Sequence, residues 1–122
     1  MAEALRNYIQ TTEGVERVQI HEEISERERS LSAVAHQAGV EQYPFFQNAG
    51  YRGMYNMDLS ELRELKGVPR NRTLLDFMGR QELAAILFRI TQTEAKIGNE
   101  AIKGQRNLEK AALHVGKQSA RP

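Results

Sequence analysis

A chain of 122 residues, 40% apolar and 27% charged, has the length of one domain and enough apolar side chain for a core. It holds no cysteine and no tryptophan, which excludes a disulfide framework, a thiolate metal site and a cysteine nucleophile. Met1 to Asn7 lack a basic segment followed by an apolar run, and the longest apolar stretch, Leu83 to Phe88, is far shorter than the roughly 20 residues that span a bilayer. The expectation is a soluble, cytoplasmic protein with no membrane contact.

The net charge of +1 hides an asymmetry. Residues 1–41 carry 4 basic and 8 acidic side chains, a net of −4, and residues 42–122 carry 13 and 8, a net of +5. A sign change of this kind suits a nucleic-acid-facing half joined to an acidic arm, and equally an unevenly charged solvated surface.

The elements follow in chain order. Ala2 to Gln10 predicts a short helix, with Thr11 and Thr12 able to cap the next one. Glu13 to Ala38 predicts a long helix stopped by Gly39. Its apolar stripe of Val15, Val18, Ile20, Ile24, Leu31, Val34 and Ala35 is narrow, and Ser25 to Ser30 forms a wet stretch within it. Residues 1–41 therefore read as a helical arm lying along the domain or packing on a partner, including a second copy in an intertwined dimer.

Residues 42–118 read as a compact helical domain and 119–122 as a frayed tail. Tyr43 to Asn56 holds five of the eight aromatics, with Pro44 suited to a first helical turn and Gly50 and Gly53 allowing close backbone approach. The cluster fits a core, or bases stacked beside Arg52. Asp58 and Glu61 form a capping-box pair for a helix over Leu59 to Lys66, ended by Gly67 and Pro69. Thr73 caps a brief helix over Leu74 to Met78. Arg80 to about Ile97 is the strongest helical pattern, on Leu83, Ile86, Leu87, Ile90 and Ile97, and Gly98 with Asn99 end it. A last helix spans about Gln105 to Val115, with Gly116 to Pro122 frayed. The fold class is all-α.

Enzyme motifs are absent: there is no phosphate-binding loop, no nucleophile elbow and no His-Glu-x-x-His. His21, His36 and His114 fall on different helices, and Glu22, Glu23, Glu26 and Glu28 lie on the wettest stretch. A non-enzymatic protein is expected, with no cofactor, no metal and no small-molecule substrate. Arg63, Lys66, Arg70, Arg72 and Arg80 form one basic run across two short helices, and Lys103, Arg106, Lys110, Lys117 and Arg121 form another. Both suit phosphate contact or ordinary surface charge.

One set of blocks is more specific. Phe46-Gln47-Asn48-Ala49-Gly50-Tyr51-Arg52-Gly53-Met54-Tyr55, Lys66-Gly67-Val68, Leu75 to Ala85 and Leu87-Phe88-Arg89-Ile90-Thr91-Gln92-Thr93-Glu94 follow in order. Together with Ile102 to Gln105 and His114 to Lys117, they resemble the C-terminal half of the DNA-damage-inducible protein D (DinD) family. The resemblance implies a protein of the bacterial SOS response that restrains the RecA filament on single-stranded DNA without being an enzyme. The family's N-terminal half, similar to the BRO-type domain of phage antirepressors, has no counterpart here, and Ile86 stands where asparagine is usual. The partner expected is a RecA filament or single-stranded DNA, with a homodimer. The alternatives are a phage or mobile-element inhibitor of a host protein and a dimerisation module. The residues put forward for contact are Gln47, Asn48, Tyr51, Arg52, Lys66, Arg70, Arg72, Arg80, Arg89, Gln92 and Thr93.

Overall fold

The computed structural model describes the backbone of residues 2–120 and the side chains of residues 18–120; Val15, the Thr11 and Thr12 side chains and Arg121 lie outside them. Its elements are five α-helices and one 3-10 turn: α1 (Ala2–Ala38), α2 (Tyr43–Tyr55), α3 (Leu59–Leu65), the 3-10 turn (Leu74–Phe77), α4 (Arg80–Glu100) and α5 (Gln105–Ser119). The all-α reading holds.

Three boundaries differ from expectation by more than one residue. Helix α1 runs through Thr11 and Thr12 without a break; an interior threonine costs only a few tenths of a kcal/mol, too little to end a helix with good formers on both sides. Helix α4 continues through Gly98 and Asn99 to Glu100, and Ala101 takes the left-handed position at φ 50°. The Ile102 amide then donates to the Ile97 carbonyl at 3.2 Å, and Ile102 packs against the core. That apolar contact selects where the helix ends, as it commonly does in this motif. Helix α5 extends to Ser119, because Gly116, expected in a frayed tail, is buried against α2.

Helix α1 ends in the same motif: Val40 donates to the Ala35 carbonyl at 2.9 Å around Gly39, at φ +114°. The two chain reversals, residues 39–42 and 101–104, lie side by side. The Gly104 amide donates to the Ala38 carbonyl at 2.9 Å. The Gln105 side chain accepts from the Glu41 and Gln42 amides at 2.9 and 3.1 Å, and its amide group donates to the Gln42 carbonyl at 3.1 Å.

The fold is thus two helical hairpins, α1–α2 and α4–α5, laid in parallel. Helix α1 packs mainly on α4 and α2 mainly on α5. His21 stands near Asp76 at one end of the first pair, and Ser30 donates to Glu94 further along. One core joins Ile24, Leu31 and Ala35 of α1, Phe46 of α2, Leu83, Ile86 and Ile90 of α4 and Leu108 of α5. The second half of the N-terminal helix therefore shares the core of residues 42–118.

Glycines set the spacing of the α2–α5 pair. A Cβ on Gly53 would stand 2.3 Å from the Leu113 carbonyl oxygen, and one on Gly116 would stand 2.4 Å from the Gly50 carbonyl oxygen. Both neighbours are helix backbone, which cannot step aside without separating the helices. Gly53→Ala and Gly116→Ala are each expected to destabilise by about 3 kcal/mol in urea unfolding. Gly98→Ala, with nothing within 4 Å of the added carbon, is expected to stabilise by about 0.5–1 kcal/mol. Equal, small effects at all three positions would contradict this packing.

Candidate functional site

A cleft of about 660 Å³ opens between the second half of α1, one flank of α2 and the segment joining α3 to the 3-10 turn. From α1 come Ser25, Glu28, Arg29 and Ser32, whose spacing puts them on one helix face. From α2 come Tyr43, Gln47 and Tyr51, from α3 comes Arg63, and from the connecting segment come Arg70 and Arg72.

The four arginines differ in what they are free to do. Arg63 holds the segment in shape, donating through Nη2 to the Pro69 and Arg72 carbonyls at 3.1 and 3.0 Å. Arg72 lies 3.4 Å from Asp76 and 5.6 Å over the Phe77 ring. Desolvation would raise the Asp76 carboxyl, but hydrogen bonds from Arg72 and Thr73 and the nearby positive charge outweigh it and hold Asp76 below the usual carboxylate range. Arg29 and Arg70 are exposed and form no ion pair among the described residues. They are the cleft's available cations.

A second polar layer involves the same α2 tyrosines. Arg89 of α4 is 1% exposed, its guanidinium 4.8 Å from the Tyr51 ring centroid. Its Nε and Nη2 find no hydrogen-bond acceptor among the described residues. Burial pushes the Tyr51 hydroxyl pKa up, with the Arg89 charge opposing. Tyr43 donates to Glu28, and burial, then the Glu28 charge, push the Tyr43 hydroxyl up as well. Glu28, expected among solvated carboxylates, is half-buried. Both hydroxyls therefore stay neutral throughout the physiological range; Tyr43 is partly exposed at the cleft, whereas Tyr51 is buried at 6% exposure.

On the opposite flank of α2 lies an open groove of about 1170 Å³, shared with α5. Phe45, Asn48 and Arg52 line it from α2, and Arg106, Lys110 and Lys117 from α5. Asn48 starts α3: it donates to Asp58 at 3.1 Å and accepts from the Leu59 amide at 2.7 Å. The capping pair read from the sequence is present, the Asp58 amide donating to Glu61 at 3.2 Å.

The proposed contact residues thus part company. Gln47, Tyr51, Arg70 and Arg72 meet at the cleft, and Asn48 and Arg52 at the groove. Arg80 opens α4 and Gln92 lies exposed on its outer face beside Phe88, neither lining the cleft or the groove. Arg89 and Thr93 are buried at 1% and 0% exposure and present nothing at the surface; the Thr93 hydroxyl donates to the Arg89 carbonyl at 2.7 Å. Lys66 is occupied structurally, 2.9 Å from Glu82. Sequence reasoning missed Arg29, Glu28 and Tyr43 as cleft residues. The signal for Glu28 and Arg29 was their i, i+3, i+4, i+7 spacing with Ser25 and Ser32 on α1; Tyr43 was read only as part of the aromatic cluster.

Glu82, in the first turn of α4, joins three elements. It accepts from Tyr55 of α2 at 2.7 Å, from Lys66 at the end of α3 at 2.9 Å and from the Gly79 amide at 3.4 Å. Desolvation raises its pKa, but the Lys66, Tyr55 and Gly79 hydrogen bonds and the Lys66 charge outweigh it and leave Glu82 below its ordinary value.

Among the described residues no helix is long and apolar enough to cross a membrane, and no group of three or more His, Asp or Glu side chains could hold a metal ion. The fold is an all-helical domain whose cleft and groove each carry more guanidinium and ammonium groups than carboxylates, beside aromatic rings. The DinD C-terminal domain model matches residues 11–121, and the chain belongs to that family. It is 35% identical over 113 residues to the DNA damage-inducible protein D of Escherichia coli (strain K12), a match covering 89% of this chain and 41% of that protein. The chain thus spans less than half the length of this relative. No solved structure matches it.

The Glu82 junction is tested through pH. Glu82→Gln is expected to lower stability at pH 7 by about 1 kcal/mol, after allowing for screening of a partly exposed pair. Because the folded-state pKa is depressed, this stabilisation is complete above the unfolded value of about 4.5 and fades as pH falls through the lower folded value. Urea unfolding should show the gap between wild type and Glu82→Gln closing as the medium becomes more acidic than that. A gap that is constant with pH would contradict the assignment.

Proposed function

We propose that the chain is a non-enzymatic, cytoplasmic module of the DNA-damage response that binds the RecA filament on single-stranded DNA and regulates its assembly. Family membership and the name of the Escherichia coli relative support the setting. The observation that carries the mode of action is the arginine-rimmed cleft, with Arg29 and Arg70 exposed and free of ion pairs above a floor of neutral tyrosines.

Guanidinium groups match carboxylates in a bidentate fork, and arginine and tyrosine are the side chains that most often dominate binding energy. Glu28 inside the cleft favours a ligand with separate carboxylates and apolar contacts over a continuous run of phosphates. The cleft therefore suits an acidic segment on a protein surface. Opposite charges would steer the encounter and make it weaken with salt. No chemical step is required: occupancy of the filament surface alone blocks growth or promotes release.

The test is RecA filament assembly on single-stranded DNA, followed by light scattering with and without the 122-residue chain. The chain is expected to slow assembly or shorten filaments, less so as salt is raised. Arg29→Glu with Arg70→Glu is expected to reduce the effect by at least about tenfold, roughly 1.4 kcal/mol of lost charge-assisted contact, without loss of helicity. An inert wild-type chain, or a double variant as active as wild type, would overturn the reading.

A further inference from the structure

The groove between α2 and α5 has a different character from the cleft. Its two helices run side by side in the same direction, since Gln42 meets Gln105 at one end and Gly53 meets Leu113 and Gly116 at the other. Outward side chains consequently line up in two rows. Arg106, Lys110 and Lys117 occupy positions i, i+4 and i+11 of α5, spread over roughly 16 Å of helix axis, and Arg52 faces them from α2. The groove's two carboxylates are engaged within the protein. Asp58 holds Asn48 and lies 3.9 Å from Arg52, and half-buried Glu109 accepts from Gln105 at 3.0 Å. The groove keeps a net positive charge.

Phe45 adds an aromatic surface at the end where the α2 row begins. Its neighbours Tyr43 and Phe46 pair with each other at a centroid distance of 5.6 Å, while Phe45 remains 58% exposed. A lone exposed phenylalanine needs no explanation. One that heads a row of cations has the make-up of a single-strand site: a charged track for the backbone and a ring on which a base can stack. A duplex fits less well, because its bases are already stacked and because α5, held close to α2 by glycine contacts, does not stand free to enter a major groove.

We propose that the α2–α5 groove binds single-stranded nucleic acid without sequence preference, its phosphates on Arg52, Arg106, Lys110 and Lys117 and a base on Phe45. The site is on the opposite flank of α2 from the cleft and requires no partner protein. It stands or falls separately from the RecA reading.

The experiment is fluorescence anisotropy of a fluorescein-labelled oligothymidylate with the full chain, without RecA, across a salt series. Four phosphate contacts predict a slope of log affinity against log salt of about −3, at about −0.7 per contact on a single strand. Lys110→Ala and Lys117→Ala should each flatten the slope by about 0.7. Phe45→Ala should weaken binding about tenfold and leave the slope unchanged. Arg70→Glu, in the cleft, should leave binding as it is. The proposal is overturned by an absence of binding at low salt, by binding that survives Arg106→Glu with Lys110→Glu, by loss of binding on Arg70→Glu, or by preference for an unlabelled duplex competitor.

Discussion

Three helices meet at Gly50 with no room for a methyl group. A Cβ there would stand 2.3 Å from Nη1 of Arg89 on α4, while its carbonyl oxygen faces Gly116 of α5 at a distance that admits only glycine. This contact packs α2 directly on the α5 backbone and, through the Arg89 side chain, against α4. Its two remaining flanks then face outward: Tyr43, Gln47 and Tyr51 towards α1, and Phe45, Asn48 and Arg52 beside α5. Cleft and groove are the two sides of one helix whose position is fixed by what it lacks.

The same contact carries a cost. A guanidinium at 1% exposure with two donors lacking acceptors is the kind of buried charge that several kcal/mol of desolvation oppose. The Tyr51 ring offsets part of it by lying against the cation, and Glu28, held by Tyr43, adds negative charge nearby. An apolar side chain of similar volume would remove the desolvation cost, but it would also remove the cation that lies against the Tyr51 ring beneath the cleft.

How much of this was legible in the sequence depended on whether the signal was local. The strongest elements were: the apolar repeat of α4, the Asp58–Glu61 pair and the Gly39 stop each depend on residues within a turn or two of one another. The end of α4 was not, because Gly98 and Asn99 are good stops until Ile102 is seen to need a place in the core. Gly116 read as the start of a frayed tail because its reason for being glycine lies in α2, more than sixty residues away. The site divided along the same line. Arg70 and Arg72 stood out as a basic run, whereas Arg29 was hidden among alternating charges, and Arg89 looked like a surface arginine until α1 and α2 were folded over it. The two hairpins share no repeat in sequence, and their parallel alignment shows only in contacts made on folding: the hydrogen bonds between the turns, Ser30 on Glu94 and Gly53 against Leu113.

The packing at Gly50 can be measured directly by a double-mutant cycle of Gly50→Ala and Arg89→Leu, with unfolding free energies from urea titration. If the glycine is there to admit the guanidinium, Gly50→Ala costs markedly less once Arg89 is shortened, giving a coupling of at least about 1 kcal/mol. Additive effects, with a coupling within about 0.3 kcal/mol of zero, would mean that the two residues do not constrain each other and that α2 is held in place by something else.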